Sequence, residues 1–538
     1  MLDLLLEDAT VHTMSPRRPR ASRIGIWHGR IVGVDEQLDG LPAARTVRLG
    51  GAVVLPGFVD AHTHMVWSGM AQGGTDLTGI VERAGMLAAL EKACRAAAPG
   101  DWVEVTGYDQ RAIGGHLTRA ELDAVSAGRR LWLKHTSGHA GVVNSAVLDL
   151  VPAAELAALG DEVGRDDGEP NGLMLENAQT AVRAARLPYR NAELVDAIER
   201  AGRTCLSQGI TMCAEAGIGG GLIATPPVEV SAYQSARDQG RLPVRMRLMV
   251  AADALRKLAA HPEDGIRRGM DLGLRTGFGD EWLGVGALKL WLDGGIQART
   301  AALSAPYEGS DSSGLLQDDP AALRRVILDG HAAGWQLAVH AIGDRALDVA
   351  LDALEEAQRA VPRPDPRHRI EHCGMVRPDQ LARLAAVGAT AVIQPEFLWV
   401  NGDDYSDVLG PDRAGWLYRG RALLDAGIPL ASSSDRPVVD GAPLRAVRFM
   451  VQRRAATGRH VGPGEELTVA EALRAATLGA ATACLMEDVA GSVERGKLAD
   501  LVVLGADPYR VGVAELADIE VLATMVGAAV RYGELPGS

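Results

Sequence analysis

The sequence predicts an α/β protein built on a (β/α)8 TIM barrel, and three observations predict it. Eight short apolar runs recur along the chain, most of them separated by segments of helical periodicity. Several of these runs end in a residue able to hold a metal or a proton, and a barrel carries its chemistry at the C-terminal ends of its strands. The two ends of the chain read differently from the middle, as short strands and tight turns.

The bulk numbers agree. At 538 residues the chain exceeds one compact domain, so a large domain with accessory parts is expected. A hydrophobic content of 47% and a mean hydropathy of +0.02 describe an ordinary globular chain with a substantial core. The balance of 55 basic against 69 acidic residues argues against nucleic acid or an anionic membrane as a main partner. No apolar run is long enough to span a bilayer. Met1-Leu-Asp-Leu-Leu-Leu-Glu-Asp8 places acids where a secretory leader needs a basic region, so a cytoplasmic location is expected. Cys94, Cys205, Cys213, Cys373 and Cys484 are scattered, lack CxxC spacing and read as reduced core residues.

Taken in order, residues 1–55 read as one part of a small composite β-sandwich. Ile24 to Val34 is an apolar segment broken at His28-Gly29-Arg30, a hairpin signature. Residues 56–64 form the first barrel strand. Residues 65–195 are far too long for a barrel crossover. They contain strand-like runs at 102–106 and 131–135 and helical patterns at 86–97 and 119–126, and read as an inserted α/β subdomain over the barrel mouth. Residues 196–484 carry the other seven strands, at 209–216, 244–250, 284–292, 335–340, 369–372, 389–394 and 428–433. Asn191 caps a helix with Leu194, Val195, Ile198 and Cys205 on its apolar positions that Gly209 ends, and Pro378 starts another that Gly388 ends. Residues 485–538 supply the second part of the sandwich, with a turn and a buried strand over 496–504.

The chemistry gathers at the strand ends. His62 and His64 lie two apart on a strand, so they face the same way and can grip one ion. In a chain with 13 histidines such a pair arises readily by chance, and its weight comes from the residues that end the later strands. His340 and His372 each end an apolar strand. One alone is more often a hydrogen-bonded core residue, but two at equivalent barrel positions read as ligands. In the fourth strand Ala287, Lys289, Trp291 and Asp293 share a face opposite Leu288, Leu290 and Leu292. The leucines suit the outer helices, which leaves Lys289 pointing inward. It either pairs with Asp293 or is desolvated enough for its neutral amine to add carbon dioxide, giving a carbamate that two cations would bridge. Asp435 ends the eighth strand. By itself it reads as a turn or capping residue, and among the others as a ligand that shuttles a proton.

Pro56-Gly-Phe-Val-Asp-Ala-His-Thr-His64, Lys289-Leu-Trp-Leu-Asp-Gly294, Val339-His-Ala-Ile-Gly-Asp-Arg-Ala346, Arg369-Ile-Glu-His372, Ser434-Asp-Arg-Pro437 and Gly496-Lys-Leu-Ala-Asp500 together resemble the amidohydrolase superfamily. The branch they resemble contains N-substituted formamide deformylase and is called YtcJ-like. Ser137-Gly-His-Ala-Gly-Val-Val-Asn144 is similar to a segment these proteins carry in their insertion, whereas Gly295 stands where they usually have serine. The resemblance implies two divalent ions, most often zinc. His62, His64 and Asp435 would hold one, His340 and His372 the other, and carboxylated Lys289 would bridge them. Such ions, about 3.5–4 Å apart, share a hydroxide and polarise a carbonyl, with Asp435 as general base and then acid. The resemblance also implies a homodimer.

His139, Asn144, Trp291, Arg299, Glu396, Trp399 and Arg436 are candidate substrate contacts, each equally readable as packing. Trp67, Trp291, Phe397 and Trp399 suggest a pocket for an apolar or aromatic substituent, since aromatics are only 4% of the chain. The function expected is hydrolysis of a non-peptide C–N bond, a linear amide or formamide, by a metal-dependent enzyme. One rival is a mononuclear deaminase or cyclic-amide hydrolase on the same barrel. The other is a non-catalytic ligand-binding or regulatory protein that kept the fold.

Overall fold

The computed structural model describes residues 1–538 other than 109, 111, 112, 136–139, 176, 177, 221–227 and 538. The chain forms two compact units, one of Met1–Met65 with Gly202–Ser538 and one of Val66–Ala201.

The first unit contains a sheet of eight strands in chain order: β1 (Phe58–Thr63), β2 (Ile210–Ile218), β3 (Arg245–Ala251), β4 (Leu283–Trp291), β5 (Leu337–Ala341), β6 (Arg369–His372), β7 (Thr390–Ile393) and β8 (Leu430–Ser432). Every neighbouring pair is parallel. The sheet curls until it nearly closes. Just beyond β8 the Asp435 amide donates to the His62 carbonyl (2.8 Å) and the His64 amide to that of Arg436 (2.9 Å). The strands read as apolar runs because both their faces are buried, one by helices and one by the barrel interior. That interior is built largely of small residues, Ala61, Ala214, Ala287, Ala338 and Ala431, beside Val59, Met212, Met249 and Val392.

The outer helices follow their sequence signals. Pro378 occupies the first turn of Pro378–Ala386, where its missing N–H costs nothing. Gly388 takes the left-handed conformation just beyond that helix (φ +64°). Asn191 is the first residue of the helix Asn191–Ser207.

The chain ends share a sheet. Val53–Pro56 runs antiparallel to Leu501–Leu504, with Val54 opposite Val503. A second sheet holds Leu2–Glu7, Ile24–Trp27, Arg30–Val34 and Ala43–Arg48. Leu4, Leu6, Ile24 and Ile26 from one sheet pack with Val54, Leu501 and Val503 from the other. His28 and Gly29 turn the hairpin with φ of +47° and +73°, the backbone twist a two-residue turn requires. Arg245 of β3 grips Asp500 through two bonds (2.6 and 3.1 Å), and the Gly527 amide donates to the same carboxylate (2.7 Å). This buried pair ties the barrel to the terminal sheets.

The second unit has its own six-stranded sheet, which includes Trp102–Tyr108, Arg130–His135 and Ala140–Val143. Its helix Arg119–Ser126 begins with a capping box in which Thr118 and Glu121 exchange hydrogen bonds. Among the described residues, no helix is long and apolar enough to cross a membrane.

Candidate metal centre

His62, His64, Lys289, His340, His372 and Asp435 are all buried at the C-terminal ends of barrel strands or just past them. His62, His64 and Asp435 each offer a ligand atom within 4.8 Å of the other two. The Nε2 atoms of His62 and His64 lie 3.3 and 3.1 Å from the same Asp435 oxygen. Lys289 Nζ lies 3.5 Å from His62 Nε2. The ring of His372 lies 5.0 Å from that of His62 and 4.4 Å from that of His340, centre to centre. Two of the six sit in left-handed backbone, His372 at φ +68° and Asp435 at φ +56°. Histidine and aspartate tolerate this conformation better than branched residues do, and it turns each side chain out of the strand's alternation.

Neighbouring groups fix which nitrogen each histidine offers. His62 Nδ1 bonds Glu371, whose carboxylate is clamped by Arg369 (2.7 and 3.0 Å). His372 Nδ1 donates to Gln394 Oε1 (2.7 Å), and Gln394 in turn donates to Ser433 Oγ (2.9 Å). His340 Nε2 donates to the Gly294 carbonyl (3.3 Å). His64 Nδ1 faces Glu215 at 3.5 Å, and Glu215 is held by the Met65 amide (2.8 Å) and the Tyr233 hydroxyl (2.5 Å). In His340 and His372 the other nitrogen is thereby left as a lone-pair donor, and in His62 and His64 it faces Asp435, where a cation would take the place of a shared proton.

The electrostatics are those of a buried charge cluster. Burial pushes the Lys289 ammonium down to about 8, against the pull of Glu371 and Asp435. Burial opposes the Asp435 carboxylate, but hydrogen bonds from His62 and His64 outweigh it and hold the carboxyl well below its ordinary range. Burial, then the positive charges of His62 and Lys289, take His372 down to about 3 despite the Asp435 carboxylate, and His340 is also well below its ordinary value. Burial opposes the charged form of His64, but Asp435 and Glu215 outweigh it and raise that histidine. Two neutral imidazoles, His340 and His372, thus stand beside an ionised carboxylate and a His64 whose proton a divalent cation of borderline softness would displace.

Asp293 does not serve as a simple counter-ion to Lys289. Its carboxylate accepts the amides of Ala302 (2.9 Å), Ile342 (3.1 Å) and Gly343 (2.8 Å) and lies 3.4 Å from His340 Nε2. Burial outweighs these bonds and lifts the carboxyl to about 7.

Most of the weaker candidates are engaged by other parts of the protein. Arg436 is buried and its guanidinium bonds the Asp440 carbonyl (2.7 and 3.0 Å), Cys205 Sγ (3.0 Å) and Gln208, so it braces the loop after β8. Asn144 bonds the Leu131 amide (3.1 Å) and the Arg129 carbonyl (2.8 Å) inside its own unit. Arg299 forms a two-bond pair with Asp404 (2.6 and 2.9 Å), and Glu396 accepts from the Gly441 amide (2.8 Å) and Arg445 (3.0 Å). Trp399 stacks on Phe449 at 5.2 Å. Trp291 lies nearest the centre, with Lys289 Nζ 5.2 Å from its ring, and Phe397 stacks over His372 at 6.4 Å. His139 lies outside the described residues.

Sequence reasoning did not single out Glu371 or Glu215, and it placed Gln394 in a segment, 394–399, expected to face substrate, whereas Gln394 bonds His372. A signal was present for the two glutamates, since each interrupts an apolar strand where an acid is almost never buried without a partner.

The comparisons with known proteins bear on the whole chain. The model of the amidohydrolase family matches residues 45–532. N-substituted formamide deformylase of Arthrobacter pascens is 28% identical over 99% of this chain and 98% of its own length. Protein LONG AFTER FAR-RED 3 of Arabidopsis thaliana is 29% identical over 98% of this chain and 91% of its own. The crystal structure of an uncharacterized metal-dependent hydrolase from Pyrococcus furiosus superposes with a TM-score of 0.76 at 28% identity, covering 94% of this chain and 100% of that one. The chain belongs to the amidohydrolase family and is a metal-dependent hydrolase acting on carbon–nitrogen bonds.

Proposed function

We propose that the enzyme hydrolyses a linear, formamide-type amide of a small molecule at a binuclear centre. The observation that carries the reading is the convergence of four histidines, Asp435 and inward-facing Lys289, with the imidazole tautomers set by Glu371, Gln394 and Gly294. His62, His64 and Asp435 would hold one ion and His340 and His372 the other, zinc being the expected metal. When bound, the ions supply a Lewis acid for the scissile carbonyl and an activated water.

The protein's own groups do the rest. Asp435 is ionised and ends among the ligands, so its carboxylate takes a proton from the attacking water and returns it to the leaving nitrogen. Lys289 carries its amine into the same dry space, where the Nζ lone pair adds to carbon dioxide. An N–C bond forms as one C=O π pair of carbon dioxide moves onto oxygen, the proton lost from nitrogen passes to solvent, and the carbamate so formed would serve both ions as a shared ligand. Trp291 and Phe397, the aromatic rings beside Lys289 and His372, support a preference for an apolar or aromatic substituent on the amide. The five buried, unbridged cysteines support a cytoplasmic location.

The test is a panel of N-substituted formamides and N-acyl amines scored for amine release, with and without chelator. Chelator-sensitive turnover of N-benzyl- or N-alkylformamides is expected. Turnover confined to aminopurines or cyclic amides would replace the reading with its mononuclear rival. That rival has an observation of its own, since among the described residues only His62, His64 and Asp435 form a group of three close acid, histidine or cysteine donors.

A further inference from the structure

Tyr418 stands out among the groups the mechanism leaves unused. Its hydroxyl is buried and has no hydrogen-bond partner among the described residues. An orphaned buried donor is uncommon and costly, and it persists where something else satisfies it or puts it to use. The backbone beneath it is strained, with φ +40° in a bulky residue. The surroundings hold that conformation in place. Arg453, buried, donates to the carbonyls of Leu417 (2.7 Å), Tyr418 (2.8 Å) and Val461 (2.9 Å). The Tyr418 amide donates to Gly374 (2.8 Å), two residues past His372. Its ring meets Phe397 edge-on at 6.0 Å, and Phe397 is the ring stacked over His372. A buried arginine, an amide bond and an aromatic contact thus fix one side chain one ring removed from His372.

We propose that the Tyr418 hydroxyl is a hydrogen-bond donor of the active site, directed at the acyl oxygen of the substrate. The proposal rests on the hydrolase reading and adds a residue to it. The two carboxylates whose charge reaches Tyr418 are already engaged, Asp293 by three backbone amides and Asp435 by two histidines. What remains is an acceptor that arrives with the ligand. In an amide that acceptor is the carbonyl oxygen, because the nitrogen lone pair is delocalised into the carbonyl. The phenol keeps its proton, since burial and then the negative surroundings that include Asp435 and Asp293 push its ionisation well above the usual value. The acyl oxygen gains charge as the bond is attacked, so the donor acts mainly on the transition state.

The experiment compares wild type with Tyr418→Phe, both loaded with zinc in bicarbonate. The readouts are metal content, melting temperature, affinity for benzohydroxamate and, on an N-substituted formamide, kcat and KM separately. Removing an unpartnered hydroxyl should leave metal content unchanged and the melting temperature equal or higher. Benzohydroxamate should bind about 10-fold more weakly, and kcat should fall about 10²-fold with little change in KM. Equal affinity and equal kcat at full metal content would overturn this proposal alone. A loss of activity accompanied by lost metal or a lower melting temperature would also overturn it, by making the hydroxyl structural. A wild type without metal would sink the hydrolase reading, and this proposal with it.

Discussion

Glu371 shows how much of this centre is made by residues that never touch substrate. Burial by itself would raise its carboxyl, but the charge of Arg369 and the bond to His62 overcome that and hold it below the usual range. Replacing it with glutamine leaves His62 a weaker, neutral acceptor and Arg369 without a counter-charge. We expect Glu371→Gln to bind metal about 10- to 100-fold more weakly in a chelator competition. Its unfolding free energy should fall by about 3–5 kcal/mol in urea, the cost of breaking a buried ion pair. Asp435→Asn should instead fold normally and lose about 10²–10⁴ in kcat, the usual contribution of a general base, read by steady-state kinetics. The candidate ligands were legible in the sequence because His62, His64, His340, His372 and Asp435 end or follow apolar runs and Lys289 breaks one by parity. Their supports were not, because His62 and Glu371 meet across 309 residues, a separation along which local pattern carries no information. The same limit misdirected attention to Arg436, whose place after a strand end suggested substrate while its bonds brace a loop.

At the scale of elements, the loop after β5 is a tight joint. A Cβ added to Gly343 would lie 1.9 Å from the Ala302 carbonyl, and the Gly343 amide is one of three that hold Asp293. Gly343→Ala should therefore cost about 1–3 kcal/mol as an overpacking change, seen as a lower urea midpoint. A second joint lies between the helix Pro320–Ala332 and the residue before β6. His331 Nδ1 bonds His368 Nε2 (2.8 Å), His331 Nε2 bonds the Val361 carbonyl (2.8 Å), and His368 Nδ1 accepts the Leu337 amide (3.0 Å). This chain assigns both rings as neutral.

Burial lowers both of these histidines from 6.5, and His331 lowers His368 further. The folded state therefore resists protonation that the unfolded state accepts. The stability that the pair contributes is complete above pH 6.5 and is lost as the pH falls below it towards the folded values. At fixed metal loading, the urea midpoint should fall between pH 7 and pH 5.5, and His368→Gln should flatten part of that slope. An equally steep slope in the variant would refute this account. The strands themselves were readable, since burial on both faces makes them continuous apolar runs. The bridge from Arg245 to Asp500 was not, although Asp500 closes a motif the sequence displayed.

Across the whole molecule, the near-closed eight-stranded sheet collects residues from 62 to 435 into one buried cluster, and the two chain ends share a sheet beside it. A ligand that binds only the folded state stabilises it by mass action. Stripping metal with a chelator should therefore lower the melting temperature in a scan, and adding zinc back should restore it. A melting temperature indifferent to metal would mean that the cluster binds none. If Lys289 and the five other residues form one binuclear centre, the metal content per chain reports it. Protein purified without chelator in bicarbonate should hold two zinc-like ions, and Lys289→Ala should hold at most one. A single ion in both would contradict the bridged centre and favour the mononuclear rival, and no ion in either would contradict the metal-dependent account altogether.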